Sequence, residues 1–518
     1  MIWFTNLWML DKKSHSKAKK SFSINYADGK FANFLDIPFL RIEDFRNDKI
    51  LKEISKDDKK NSQIEYSRFD SGIIKSSNPA NPVDFSNCKI LPLEQFFTSK
   101  TSDLKNFDKH NYIFDCHNYL VLPGGIDAHV HFDTPGYTYR EDFSSGSAAA
   151  LAGGITTVID MPCTSIPEVT NRKNLKDKLA AVEPMARCDY AFYGGICGKT
   201  VDSITFESDI EDLVLAGVKG FKGYTISGMD SFPRLTNAQL FRAAKVIKEF
   251  KKPILLHSED SEIIYGLTEY NKDIIPEYKK YTLSRPAIAE LISVMNAAAI
   301  ASQTSASFHI VHLSSAAAAK FLGEMKDKVD ITFETAPHYL EFTEKDFEKF
   351  GSLLKTAPPV KSDSDREILI ESVLNKNCLF IASDHAGCTY QEKHTGSFLK
   401  DYSGIPGVQT LLLYSVSKFY DKLNLDDLYK LIAENQAKRY GLYPKKGCIE
   451  EDSDADFVFI DLNKKQLFKN ENLLCKSKET VFDNYLFNYS LVGTVLRAMP
   501  AYFQDTAVLL KPGSGRYI

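Results

Sequence analysis

The sequence predicts an α/β protein, a (β/α)8 TIM-type barrel with a small β domain built from both chain ends. Eight short apolar runs alternate with helix-like segments between residues 125 and 385, the arithmetic of such a barrel. Reactive side chains recur at the C-terminal ends of those runs, the rim where barrels of this kind place their chemistry. Strand-like pieces return after residue 445.

In order, the predicted strands are GIDAHVHF (125–132), GITTVIDM (154–161), CDYAFYGG (188–195), GVKGFKGY (217–224), KPILLHSE (252–259), ASFHIVHL (306–313), VDITFET (329–335) and LFIASDH (379–385). Segments such as NAQLFRAAKVIKEFKK and AIAELISVMNAAAIASQTS supply helices between them. Residues 1–122 mix short apolar pieces with charged stretches such as SKDDKKNSQIEYSR, and form the N-terminal part of the β domain with insertions. The barrel takes 123–444. Residues 445–518, with ADFVFIDLN and SLVGTVLRAMPAYF, complete the β domain and end in a tail.

With 518 residues, 43% hydrophobic and 25% charged, the chain is long enough for one large catalytic domain and a smaller one. A net charge of −4 gives no reason to expect nucleic acid or an acidic membrane surface as partner. Nine cysteines without CxxC spacing suggest reduced thiols. No apolar run approaches the roughly 20 residues of a membrane span, and the basic residues of MIWFTNLWMLDKKSHSKAKK follow its apolar part, the wrong order for a secretory signal. A cytoplasmic location is the expectation.

His129 and His131 end the first strand two residues apart, which places both on one face. Lys222 ends the fourth, His257 the fifth, His312 the sixth and Asp384 the eighth. One histidine ending a strand is more often a satisfied core residue than a ligand. Four of the chain's 11 histidines at such ends, with an aspartate, point to a metal. Nitrogen and carboxylate donors without cysteine suit Zn2+, and Mn2+, Co2+ or Fe2+ also fit. Spacing by three sets Lys219 apart from Lys222 and His309 apart from His312, so Lys219 and His309 are expected to be structural. As an ammonium ion Lys222 would repel the metals. As a carbamate it becomes an anionic bridging ligand; the alternative is a salt-bridged or outward lysine.

The motifs PGGIDAHVHFDTPG, GITTVIDMP, GVKGFKGYT, LLHSED, HIVHLSS, APHYL, LKTAPPVKSDSDRE, SDHAGCTYQEK, GIPGVQT and KPGSGRYI run in order from about 115 to 518. Together they resemble the cyclic amidohydrolases, the group of the amidohydrolase superfamily that holds allantoinases, dihydroorotases and hydantoinases/dihydropyrimidinases. The resemblance implies that His129 and His131 bind the more buried of two divalent ions, most simply zinc, and that His257 and His312 bind the other. Carboxylated Lys222 would bridge them, and Asp384 would bind metal and act as general acid/base. A metal-bridging hydroxide would attack a ring amide carbonyl, with Asp384 passing the proton to the leaving nitrogen. A homo-oligomer, dimer or tetramer, is implied too. Some relatives with this barrel are non-catalytic scaffolds that have lost ligands; here all six positions are present.

Dihydroorotases of this type follow the HxH pair with LREPG, whose arginine binds the substrate carboxylate. Here that arginine is Asp133, and three further expected contacts are Cys163, Ala357 and Cys388. An anionic Asp133 would repel a carboxylated ring. HFDTPG, MPCTSIP, KTAPP and SDHAGC sit nearer the allantoinase pattern. Uncharged cyclic ureides therefore rank first as substrate, with allantoin the leading example, dihydroorotate second, and hydantoin or dihydropyrimidine third. Arg140 is a nearby source of positive charge. Asn171, Glu259 and His338 serve either as groups orienting the ligands or as satisfied polar core, and Cys163 and Cys388 either line the pocket or simply pack.

Overall fold

Parallel strands covered on both faces read as continuous apolar runs, and the eight runs do become strands. They are β1 (Gly125–His131), β2 (Ile155–Asp160), β3 (Asp189–Phe192), β4 (Phe221–Tyr224), β5 (Ile254–His257), β6 (Phe308–Ile310), β7 (Ile331–Thr335) and β8 (Phe380–Ile381). The computed structural model describes residues 119–504 and 510–518, and before them 2–11, 16–25, 30–35, 73–74, 83–84, 89–93, 96 and 112–116. Most of the 40–110 insertion lies outside the described residues.

Every neighbouring pair is parallel, and two strands are split so that the ring closes. β3 pairs with β2, while Gly194–Gly195, just beyond it, pairs with β4. A Cβ on Gly194 would lie 2.8 Å from the Phe221 ring, so only glycine permits that approach. β8 pairs with β7, and after a gap His385–Ala386 pairs with Val130 and His131 of β1. The gap holds Asp384. The fourth strand begins only at Phe221, which leaves Lys219 in the preceding loop.

Helices return the chain between strands. Asn237–Ile247 shows why they form: Thr236 caps it and boxes with Gln239, and Leu240, Ala243, Ala244 and Ile247 are buried at helical spacing. Ser315 and Ser362 cap Ala316–Met325 and Asp363–Leu374 in the same way.

The β domain is one sheet made from both chain ends. Leu120–Pro123 lies between Ile2–Asp11, to which it is parallel, and Phe457–Asp461, to which it is antiparallel. Phe457–Asp461 then pairs with Ser490–Leu496, which forms a hairpin with Met499–Phe503. The turn residues Arg497 and Ala498 both have positive φ, 45° and 64°, as a type I′ turn requires. A buried charge cluster fastens this sheet to the barrel. Lys446 Nζ reaches Asp189 at 2.5 Å, Asp456 at 2.6 Å and Asp454 at 2.9 Å. Arg497 bonds Asp189 and, through its backbone, Asp456. The C-terminal tail joins the same cluster: Arg497 donates to the Ser514 carbonyl, and the Arg516 amide donates to Asp189. No helix among the described residues is long and apolar enough to cross a membrane.

Lys446→Met would leave three buried carboxylates facing one guanidinium. A loss of about 3–5 kcal/mol in chemical denaturation is expected, as for other broken buried ion pairs; a loss below about 1 kcal/mol would show that the cluster does not fasten the two units.

Candidate metal centre

The barrel gathers the reactive side chains from five strand ends. His129 and His131 alternate on β1 and share one face. Lys222 comes from β4 and His257 ends β5. His312 lies two residues beyond β6, and Asp384 sits in the gap of the eighth strand. His312 and Asp384 both adopt left-handed backbone, φ 41° and 49°, which histidine and aspartate tolerate better than most residues. That backbone sends both side chains inward past the end of regular pairing.

The donors converge in two groups. Asp384 Oδ1 is 3.1 Å from His129 Nε2 and 3.6 Å from His131 Nε2. His257 Nδ1 is 3.0 Å from His312 Nε2. The His129 and His312 rings, 5.3 Å apart, join the groups. Lys222 is fully buried, with Nζ 4.8 Å above the Tyr224 ring.

Carboxylates behind the imidazoles fix their orientation. Glu334 on β7 reaches His129 Nδ1 at 2.5 Å through one oxygen and His309 Nε2 at 3.2 Å through the other. His309 Nδ1 in turn meets Thr332 Oγ1 at 2.8 Å. Glu259 Oε2 is 2.9 Å from His257 Nε2 and 2.5 Å from an Arg285 guanidinium nitrogen. Burial would raise the Glu259 carboxyl, but Arg285 and His257 hold it down at about 2.

The donor set fits divalent metal. His129 Nε2, His312 Nδ1 and Lys222 Nζ are buried without a hydrogen-bond partner, an arrangement that costs about 1–3 kcal/mol per group unless something is bound there. Burial holds His129 and His312 neutral, well below the ordinary histidine range, and pushes Lys222 down to about 8. Burial also opposes charge on His131, yet Asp384 and Cys163 raise it to about 10. Burial would raise Asp384 too, but His129, His131 and His312 hold it well below the usual carboxylate range. Neutral His129 and His312 beside an ionised carboxylate suit zinc-type ions, and His131 would give up its proton on binding one.

Other positions fall where sequence alone did not place them. Asp133 is buried at φ 51° with neither carboxylate oxygen hydrogen-bonded; burial pushes its carboxyl up to about 7, with His131 opposing. Cys163 Sγ is 3.0 Å from Tyr224 Oη, beside the centre. Ala357 is half-buried ahead of Pro358, and Cys388 is buried on the rim with Arg140, Glu392 and Lys393 as its charged neighbours. Arg140 is spent on Glu392, at 2.6 and 2.8 Å, and its guanidinium lies over the Tyr137 and Tyr402 rings. Asn171 caps the helix Arg172–Val182 and is not a ligand-orienting group. Glu259 is one. His338 Nε2 is buried without a partner, and burial lowers the ring to about 4.

His309 has the structural role expected of it, bracing Glu334; it differs only in facing, pointing inward at a deeper level, because β6 ends at Ile310 and the turn at His312 breaks the alternation. Glu334 went unnoticed in the sequence, although a carboxylate near the end of a barrel strand is the same signal that marked Asp384.

Fold and site together define a class, barrel hydrolases built to hold divalent metal at the C-terminal rim. The chain belongs to the Amidohydrolase family, whose model matches residues 120–495. It is 34% identical over 409 residues to an allantoinase of Rubrobacter xylanophilus, covering 78% of this chain and 88% of that protein. An allantoinase of Deinococcus radiodurans is also 34% identical, over 390 residues, covering 74% and 84%. The L-hydantoinase (dihydropyrimidinase) of Arthrobacter aurescens superposes with a TM-score of 0.81 at 22% identity, over 100% of this chain and 99% of that one. The chain is a hydrolase of carbon–nitrogen bonds in cyclic amides.

Proposed function

We propose that the chain is an allantoinase, opening the ring of an uncharged cyclic ureide. The observation that carries this is the fate of the charges beside the centre. Arg140 is committed to Glu392, and Asp133 is buried with neither carboxylate oxygen hydrogen-bonded, His131 being the charge that most opposes its upward shift. A carboxylated ring such as dihydroorotate would meet a carboxyl where it needs a guanidinium. The similarity to allantoinases supports the same choice.

His129 and His131 with Asp384 would hold one divalent ion and His257 with His312 the other, zinc being the first candidate. Lys222, carboxylated, would bridge them. Its amine, lowered to about 8, is neutral in about a tenth of molecules at pH 7. Carbon dioxide adds to that neutral amine with loss of one proton. When bound, the two ions would lower the pKa of a water towards 7 and polarise the ring carbonyl. Asp384, ionised at neutral pH, accepts the proton of the attacking water and delivers it to the leaving ring nitrogen. One C–O bond forms, the ring C–N bond breaks, and a ureido acid leaves. Tyr224 and Cys163 line the side next to Lys222. A homo-oligomer, dimer or tetramer, belongs to the same proposal. Phe241, Tyr265, Ile288 and Met295, exposed on helices of the outer layer, favour it.

Assayed on allantoin, dihydroorotate, hydantoin and dihydrouracil, the protein is expected to prefer allantoin; preference for dihydroorotate would overturn the substrate assignment. Lys222→Ala should abolish turnover and recover partly with short carboxylic acids, whereas unchanged turnover would remove Lys222 from the bridge. Metal analysis should find transition metal in the purified protein. Finding none, with no activity after adding Zn2+ and bicarbonate, would defeat the enzyme assignment.

A further inference from the structure

Barrel and β domain enclose a cavity of about 360 Å³ that contains none of the metal donors, a size suited to a small organic ligand. Its barrel wall is the end of the helix Phe143–Ala152 with its cap Gly153, joined by Gln409. Gly153 stands two residues before β2, at the end of that strand away from the rim. The opposite wall comes from the β domain, with Gln466, Leu491 and Gln504.

The three glutamines are held differently. Gln409 is engaged at both ends: Nε2 donates to the Asn472 carbonyl at 2.7 Å, and Oε1 accepts from the Leu474 amide at 3.0 Å. Gln466 is engaged at one end. Its Oε1 accepts from the Leu491 amide at 3.1 Å and from Ser490 Oγ at 3.3 Å, and its Nε2 has no hydrogen bond among the described residues. Gln504 Oε1 lies 3.2 Å from the same hydroxyl, and its Nε2 is likewise unengaged. Two side-chain amides thus keep both N–H donors for the cavity. Across from them the helix end supplies carbonyl oxygens. The lining carries no net charge. Among the described residues no lysine or arginine lines it, and its one acid, Glu471, is exposed with Lys469 at 3.8 Å. Leu467 and Leu474, both partly exposed, form an apolar lip.

We propose that this cavity is a second ligand site, taking a small uncharged amide or ureide. The ligand's carbonyl oxygen accepts from Gln466 and Gln504, its N–H groups donate towards the helix end, and its carbon skeleton lies against the leucine lip. A phosphate or carboxylate finds no cation to pair with there. The site therefore takes an intact ureide ring and rejects the ureido acid that ring opening makes. It does not open the ring itself, since no histidine or lysine lines it among the described residues. An occupant bridges the end of Phe143–Ala152 to the β domain, so it joins the two units at a second place, besides the Lys446 cluster.

The test titrates the full chain calorimetrically with ethyleneurea, a small cyclic urea with no ring imide to open, and in parallel with N-carbamoylglycine, a ureide that bears a carboxylate. Ethyleneurea is expected to bind in the millimolar range, as its few atoms allow. N-Carbamoylglycine should bind more weakly by at least about tenfold. Gln504→Leu removes one donor and Leu467→Trp narrows the mouth; each should weaken ethyleneurea by about tenfold while changing turnover by less than about twofold. No binding of ethyleneurea up to about 50 mM, a weaker limit than any useful site, would overturn the proposal. So would unchanged affinity in a variant that folds, or equal affinity for the acid. Where neither variant folds, a structure of the wild-type protein soaked in ethyleneurea decides: the probe between Gln466 and the helix end supports the site, and its absence there refutes it. Binding is read here without turnover, so failure on allantoin leaves this test standing, and failure here leaves the substrate assignment standing.

Discussion

Polar atoms buried around the centre without hydrogen bonds are the constraint on which this structure turns. His129, His312 and Lys222 keep polar atoms buried without hydrogen bonds, and such atoms are tolerated only where a ligand compensates or the surroundings hold them rigidly. The surroundings do hold them. Glu334 grips His129, Glu259 grips His257, and those carboxylates are fixed by His309, Thr332 and Arg285. Much of the barrel's polar interior serves to stop imidazoles from turning.

The barrel makes that possible through two interruptions. Breaking the third strand lets the ring close between β2 and β4 without a regular ninth element. Breaking the eighth leaves Asp384 in a left-handed gap between two paired segments, where both flanks are bonded. Ser383 donates its backbone amide to Asp127, and His385 is held through Glu141 and the Val408 amide. An aspartate inside a regular strand would point into the barrel or away from it. In the gap it points at His129 and His131.

Far from this rim, the Lys446 cluster does a different job. Three aspartates, a lysine and an arginine meet where barrel, β domain and tail converge. Each group would be costly to bury alone, and each is compensated only when all three parts are in place. The barrel is thereby tied to a sheet whose strands come from opposite ends of the chain.

The repeating apolar runs, the strand ends and the HxH pair were all legible from residue order, because a parallel barrel imposes its period on every strand and its chemistry on one rim. The eight strands appear where those runs lie, and the six ligand candidates converge. Order failed where period fails. His309 and His312, three apart, were assigned opposite faces, but the strand stops between them and positive φ redirects the second. The split strands and the Arg497–Ala498 hairpin left no mark either, since no Asn-Gly or Asp-Gly pair announces that turn. By itself the sequence determined the barrel and the candidate metal donors, since these depend on residue type and spacing along single strands, while the class of bond attacked followed from the motifs' resemblance to a family. Only the tertiary structure decided which carboxylate stands behind which histidine, that Arg140 is already paired with Glu392, and that Asp133 is buried with neither oxygen hydrogen-bonded. These are relations between strands and loops far apart in sequence, fixed by burial and mutual approach.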